Sequence, residues 1–73
     1  MTGWDDMTDA MTTALARLRA LRRRRRRLDA EERDLITTAR AAGASWQDIA
    51  AALGIQSRQG AEQRSRRLTR GAA

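Results

Sequence analysis

The residues best suited to do chemistry are arginine and glutamine side chains near the C-terminal end of the chain. They recur every three or four positions, a spacing that places them on one face of a helix. Arginine and glutamine are the side chains that read guanine and adenine edges in a major groove. The pattern therefore predicts a surface that contacts nucleic acid. Its members are Arg58, Gln59, Glu62, Gln63, Arg66, Arg67 and Arg70.

The composition argues against an enzyme. The chain has no Cys and no His, which removes disulfides, thiolate metal sites and the usual general base. No nucleophile–base pair and no Gly-rich phosphate loop is visible, and capping or ion pairing accounts for the acids. No apolar run is long enough to span a membrane and no hydrophobic leader is visible. We expect a cytoplasmic, non-enzymatic protein that needs no cofactor, metal or membrane.

Charge is distributed in blocks along the chain, whose net charge is +6. Residues 1–16 carry three Asp and no base, whereas residues 17–27 carry eight Arg and no acid. A basic block this dense favours a polyanionic partner. We predict that Arg24 and Arg27 hold phosphates beside the recognition surface. A solvated helix end whose arginine stems cover apolar surface and an arginine-rich RNA-binding helix are the alternatives.

Periodicity and capping signals predict an all-α protein with four helices and no strand. The first helix covers residues 8–27, and its apolar positions follow a heptad spacing. Asp29 with Glu32 matches a capping box that would begin a second helix, residues 30–42. Gly43 is suited to end that helix in the left-handed conformation.

The third and fourth helices form a compact pair. The third opens at Ser45 and ends at Gly54 after about eight residues, and Ser57 caps a fourth that runs from residue 58 to 70. Two helices that cross closely need small side chains where they meet, and Ala50 opposite Ala61 supplies them. A short helix, a Gly corner and a second helix form a helix-turn-helix unit. The predicted core comprises Leu35, Ile36, Ala39, Ile49, Leu53, Ile55 and Leu68.

The heptad seam of the first helix predicts a homodimer. Half of the hydrophobic residues are Ala, so the core of one small domain is thin and a partner chain is expected. Two-fold dimers place two recognition helices about 34 Å apart on DNA. In the alternative, the seam folds back on the core of its own chain and makes a four-helix monomer. The predicted interface residues are Met7, Met11, Ala14, Leu15, Leu18 and Leu21.

The stretch ARAAGASWQDIAAALGIQSRQGAEQRSRRL, residues 39–68, resembles the tri-helical helix-turn-helix of bacterial transcription factors. It is most similar to small actinobacterial regulators with the pattern AAGxSWxxIAxALGxSRQAAxxR, and more loosely to region 4 of sigma factors. Gln56 is one residue more than that pattern has at the corner. The resemblance implies that residues 58–70 enter the major groove and that Ser57, Arg58, Gln59 and Gln63 lie near DNA.

Together these features predict a double-stranded DNA-binding transcriptional regulator. The whole chain, residues 1–73, is expected to form a single domain with an Arg-rich helix at 8–28 and a helix-turn-helix unit at 29–70. Two alternatives stay open. One is a sigma-like or RNA-polymerase-binding adaptor whose first helix docks on another protein. The other is an arginine-rich RNA binder.

Overall fold

The computed structural model describes residues 2–71 and the side chains from Asp5 onward. It contains three helices in this range and no strand: α1 (Thr2–Ala41), α2 (Trp46–Leu53) and α3 (Arg58–Gly71). The all-α prediction is confirmed, whereas the prediction of four helices is wrong. None of the helices in the described range has a stretch long and apolar enough to cross a membrane.

The two predicted N-terminal helices are one continuous helix. α1 runs for 40 residues through Asp29, where a break and a new cap had been expected. A capping residue needs a non-helical backbone, so the carboxylate of Asp29 does not begin a helix. No Gly or Pro lies between Trp4 and Ala42, and Asp in a helix interior costs at most about 0.7 kcal/mol. A break would instead leave helix-end N–H and C=O groups without partners, so the continuous helix prevails.

The length of α1 sets the shape of the molecule. Forty residues at about 1.5 Å rise give a rod of about 60 Å, and the longest dimension of the chain is 63 Å. The C-terminal end of α1 packs with α2 and α3 into a small body, and the remainder projects from it. Leu15, Leu18 and Leu21 consequently lie exposed. The alternative in which they cover the core of their own chain is wrong.

The corners between the helices follow the predicted capping chemistry. Gly43 (φ +101°) ends α1 and Gly54 (φ +73°) ends α2, both in the left-handed region. At the start of α2, the hydroxyl of Ser45 accepts a hydrogen bond from the backbone N–H of Asp48, whose carboxylate accepts one from the N–H of Ser45, each at 3.0 Å. The hydroxyl of Ser57 accepts from the N–H of Gly60 at 3.1 Å and caps α3. The predicted caps of α2 and α3 are therefore confirmed.

The core is small and sits where the three helices meet. The helix-crossing residues Ala50 and Ala61 are both buried, as predicted. Leu35, which had been placed in the core, is 61% exposed. Its neighbour Ile36, about 100° further around α1, takes the inward position instead. The buried residues are Ile36, Ile49, Ala50, Ala61 and Leu68, with Ala39, Ala44, Trp46, Leu53 and Ile55 packed partly buried around them.

Candidate nucleic-acid interface

The corner between α2 and α3 fixes where α3 begins. The N–H of Ile55 donates to the carbonyl of Ala50 at 2.8 Å, and the N–H of Gly54 donates to that of Ala51 at 3.2 Å. α3 then passes so close to the corner that a Cβ on Gly60 would lie 2.8 Å from Cγ2 of Ile55. The sequence pattern did not predict this role of Gly60. A signal was present, because a Gly inside a helix costs about 1 kcal/mol and usually has a packing reason.

α3 is divided into a buried face and an exposed face. Ala61 and Leu68 face the core, and Arg64 and Ser65 flank them partly buried. The opposite face carries the predicted contact residues at the surface. Those exposed are Ser57, just before the helix, and Arg58, Gln59, Gln63, Arg66, Arg67 and Arg70 within it, whereas Glu62 is partly buried.

Glu62 and Arg66 interact along α3. Nη2 of Arg66 lies 3.6 Å from Oε2 of Glu62, one helical turn away. An exposed pair of this kind is worth only about 0.3–0.5 kcal/mol, so it leaves Arg66 free to exchange its partner for a phosphate. The carboxylate of Glu62 lowers the local positive charge of the face, whose other ionisable members are all arginines.

Arg64 links α3 to α1 and was absent from the predicted set. Its Nε and Nη2 donate to the two carboxylate oxygens of Glu32, at 2.5 Å and 3.0 Å. The hydrogen bonds that Arg64 donates to Glu32 raise the pKa of Arg64, with a smaller contribution from the negative charges of Glu32 and Asp29, while desolvation opposes them. Glu32 had been assigned to a capping box. In the structure it orients α3 instead.

Two hollows lie beside α3, one along the helix and one at the corner before it. One is lined by Gly60, Gln63, Arg64, Arg67 and Arg70. The other lies at the corner, where Gln47 of α2 joins Gln56, Ser57 and Arg58 beside apolar atoms of Ala50, Ala51 and Ile55. Both present hydrogen-bond donors that suit phosphate or base edges. Gln47 and Gln56 are additions to the predicted set, and only the corner geometry reveals them.

The arginines of α1 lie outside the α3 face. Arg24 and Arg27 are exposed, as is the whole run 22–27. At about 100° per residue, Arg27 points about 140° away from Glu32, whereas Arg25 lies on the same side as Glu32. Arg25 also lines a groove with Glu32 and Arg64. The assignment of Arg24 and Arg27 to phosphate contacts stays a prediction.

The predicted dimer residues are all at the surface of α1. Met7, Met11, Leu15, Leu18 and Leu21 are between 38% and 71% exposed, and Ala14 is exposed as well. The projecting part of α1 therefore carries both the apolar seam and the arginine block, on a rod that the rest of the chain does not cover.

Comparison with protein-family models, with curated proteins and with solved structures finds no match for this chain. The resemblance to helix-turn-helix regulators therefore rests on the residues of the stretch 39–68. To these residues the structure adds the geometry of the unit: a short α2, a left-handed Gly54, and an α3 whose outer face is rich in Arg and Gln.

Proposed function

We propose that the chain binds double-stranded DNA and regulates transcription, with α3 lying in the major groove. The observation that carries this proposal is the division of α3. One face packs through Ala61 and Leu68 against the body, and the other presents guanidinium and amide groups to solvent. An α-helix such as α3, which is 14 residues long, is a size that the major groove admits. With this function we propose a cytoplasmic location.

The residues of the exposed face divide by position into two roles. The N-terminal residues of a recognition helix contact base edges, which assigns base contacts to Arg58, Gln59 and Gln63. Further along α3, Arg67 and Arg70 are suited to phosphates, as are Arg24 and Arg27 on α1. Phosphate contacts fix the register of the protein on the duplex and base contacts supply the specificity.

The direct test is the salt dependence of binding to a duplex, measured by fluorescence anisotropy between 50 and 200 mM salt. Counterion release predicts that the logarithm of the affinity falls linearly with that of the salt concentration. Arg67→Gln should reduce the slope by about 1, because one phosphate contact is lost. Arg33→Gln is the control, since Arg33 pairs with Asp34 on α1, with 3.7 Å between Nε and Oδ1. The proposal would be contradicted if the two variants had the same salt slope, or if the affinity for the duplex did not change with the salt concentration.

A protein-binding adaptor is the second candidate, and a groove on the body favours it. Leu28, Leu35 and Leu53 line this groove between α1 and α2, with Leu28 57% and Leu35 61% exposed. A gel-shift series with duplex DNA, structured RNA and purified RNA polymerase separates the candidates. Retention by polymerase alone would establish the adaptor, and preference for RNA would assign the arginine block of α1 to RNA.

A further inference from the structure

Within the described part of the chain, every large apolar side chain that stays exposed belongs to α1. Because α1 continues through Asp29, the seam does not end at Leu21 and extends to Leu28 and Leu35. From Met7 to Leu21 the seam positions are four and three residues apart, the heptad pattern of helices that pair along their length, whereas Leu28 and Leu35 follow at seven-residue intervals with Arg25 and Glu32 between them. The exposed residues are Met7, Met11, Leu15, Leu18, Leu21, Leu28 and Leu35.

The charges along α1 are complementary between its two ends. Asp5, Asp6 and Asp9 make the N-terminal end acidic, and the arginines of residues 17–27 follow after one exposed apolar stretch. Along residues 5–71, no ion pair within 4.0 Å joins these acids to these arginines, which lie on the same rod too far apart to meet. Only another molecule can bring the two ends together.

We propose that two copies of the chain pair through α1 in an antiparallel arrangement, with Met11 of one copy facing Leu21 of the other. In this register Ala14 also faces Leu18, and the two residue numbers of every facing pair sum to 32. The two alternating seam positions of the heptad therefore face each other across the pair. The acidic end of each copy then lies along the arginine run of the other, with Asp6 at the same level along the axis as Arg26. The contact is the same on both copies, as a two-fold dimer requires.

Other pairings of the same seam bring like charges together. A parallel pair in register places eight arginines of one copy beside eight of the other, and adjacent like charges repel strongly at contact distance. A second antiparallel register is one heptad away, with facing residue numbers that sum to 39. It places Asp5 opposite Asp34 and Asp9 between Asp29 and Glu31, so that acids face acids. Of these three pairings, the proposed register combines the apolar layers Met11–Leu21 and Ala14–Leu18 with opposite charges, and it places Arg25 opposite Met7.

The pairing separates the two bodies by a length that α1 defines. Ile36, in the body, lies 20 residues from the crossing point at residue 16, or about 30 Å at 1.5 Å per residue. The two bodies are therefore about 60 Å apart, close to two turns of B-DNA at about 34 Å each. This spacing rests on the proposed function, whereas the pairing of α1 does not. It replaces the 34 Å expected from sequence and predicts inverted half-sites about two helical turns apart.

Cysteine cross-linking without DNA tests the pairing, since the chain has no Cys of its own. Chains carrying Met11→Cys and chains carrying Leu21→Cys are oxidised separately and as a mixture. The proposal expects a disulfide dimer in the mixture and little in either separate sample. Identical positions in this register are offset by about 15 Å along the helix axis, too far for a disulfide. Self-cross-linking of both variants would establish a parallel pair and overturn the proposal.

Sedimentation of the wild type and two matched variants supplies a second measurement. The wild type should sediment at twice the 8.2 kDa of one chain. Leu18→Glu should raise the dimer dissociation constant by more than about 100-fold, because each dimer loses two buried leucines. Leu35→Glu is the control: Leu35 is as exposed as Leu18, at 61% against 59%, and lies outside the overlap of residues 2–30. A monomeric wild type, or equal loss in both variants, would overturn the proposal.

The binding of DNA by the dimer is tested separately from the pairing of α1. Duplexes with inverted half-sites centred about 10 or about 21 base pairs apart are compared with the cross-linked dimer. A cross-linked dimer that binds no duplex would refute the proposed function and leave the pairing intact. A dimer that prefers the shorter spacing would refute the extended arrangement of the two bodies.

Discussion

Arg64 on α3 donates two hydrogen bonds to the carboxylate of Glu32 on α1, from Nε at 2.5 Å and from Nη2 at 3.0 Å. A planar guanidinium that meets both oxygens of a carboxylate restrains the distance between two helices and their relative rotation. The pair therefore restrains the rotation of α3, together with the packing of Ala61 and Leu68 in the core. The orientation of the face proposed to meet DNA therefore depends in part on a contact between α1 and α3.

Removing the charge of Glu32 should destabilise the body. We expect Glu32→Gln to lower the free energy of unfolding by about 1–2 kcal/mol. This loss of stability is larger than the contribution of an exposed ion pair and similar to that of a hydrogen bond to a charged group. The larger value is expected because Glu32 is only 21% and Arg64 37% exposed. Urea denaturation followed by circular dichroism measures the change. Glu31→Gln, at the exposed neighbouring position, is the control and should stay within about 0.5 kcal/mol of the wild type.

A double-mutant cycle decides whether the pair itself is responsible. Glu32→Gln and Arg64→Gln are measured singly and together, and residues in direct contact show coupling of about 0.5 kcal/mol or more. Additive effects of the two changes would mean that the ion pair contributes nothing to the stability of the body.

Gly60 is needed for the close approach of α3 to the corner. In Gly60→Ala the new Cβ would lie 2.8 Å from Cγ2 of Ile55 and 3.3 Å from Oγ of Ser57. Overpacking of this kind costs about 1–3 kcal/mol, and the better helix propensity of Ala offsets at most about 1 kcal/mol. We expect a net loss of stability in urea denaturation. Gly71→Ala, where nothing lies within 4 Å, should show none.

A change at Ile55 tests whether the close contact with Cγ2 is the reason that Gly60→Ala is destabilising. In the double variant Gly60→Ala with Ile55→Ala the offending methyl group is absent, so the alanine at position 60 should no longer be costly. If Gly60→Ala costs the same stability with and without Ile55, the close contact is not the cause.

The sequence predicted the ends of α2 and α3 correctly but not the continuity of α1. Ser45 with Asp48 and Asp29 with Glu32 have the same spacing. They differ in what precedes them, because Gly43 has already ended α1 before Ser45, whereas no Gly or Pro precedes Asp29 within α1 after Gly3. A capping pattern therefore begins a helix only where the previous helix has stopped.

The long-range contacts were beyond a local reading of the sequence. Arg64 and Glu32 are 32 positions apart, and periodicity gives the faces of a helix without naming partners on other helices. The predicted outer face of α3 was recovered because its residues share one helix. Leu35 was misplaced because it and Ile36 are adjacent apolar residues, and only the packing of α2 and α3 decides which of them turns inward.

The capping box of α2 should weaken in acid. Hydrogen bonds from the backbone N–H and then the hydroxyl of Ser45 lower the pKa of Asp48 below its ordinary 3.8. A carboxyl group whose pKa is depressed in the folded state stabilises the fold above its unfolded pKa, and loses that effect as the pH falls through the folded value. The contribution is therefore complete above about pH 5 and declines below about pH 3.8. Thermal unfolding of the wild type and Asp48→Asn from pH 7 to pH 2 should show their difference shrinking in that window. A stability difference between the two proteins that stays constant over this pH range would contradict the role given to the carboxylate of Asp48.

Base contacts and phosphate contacts should respond differently to mutation. Arg58→Ala and Gln63→Ala should each cost about 1–3 kcal/mol on a preferred duplex and relax the sequence preference. Replacing Arg24 and Arg27 together should weaken binding to all sequences and lower the salt slope. Selection of bound fragments from a random pool supplies the preferred duplex. Equal losses of Arg58→Ala on preferred and random DNA would place the recognition face elsewhere on α3.

The crossing of α2 and α3 leaves no room for a larger residue at Ala50. Ala50 is 3% exposed and Ala61 is fully buried in the same cluster, so the three extra carbons of Ala50→Leu must push the helices apart. Such overpacking typically costs about 1–3 kcal/mol, which lowers the Tm of a domain this small by about 4–8 °C per kcal/mol. Ala51→Leu makes the same chemical change at the exposed neighbouring position of α2 and should leave the Tm nearly unchanged. Equal Tm values for the two variants would show that α2 and α3 do not cross closely at Ala50, and the orientation proposed for the face of α3 would have to be abandoned.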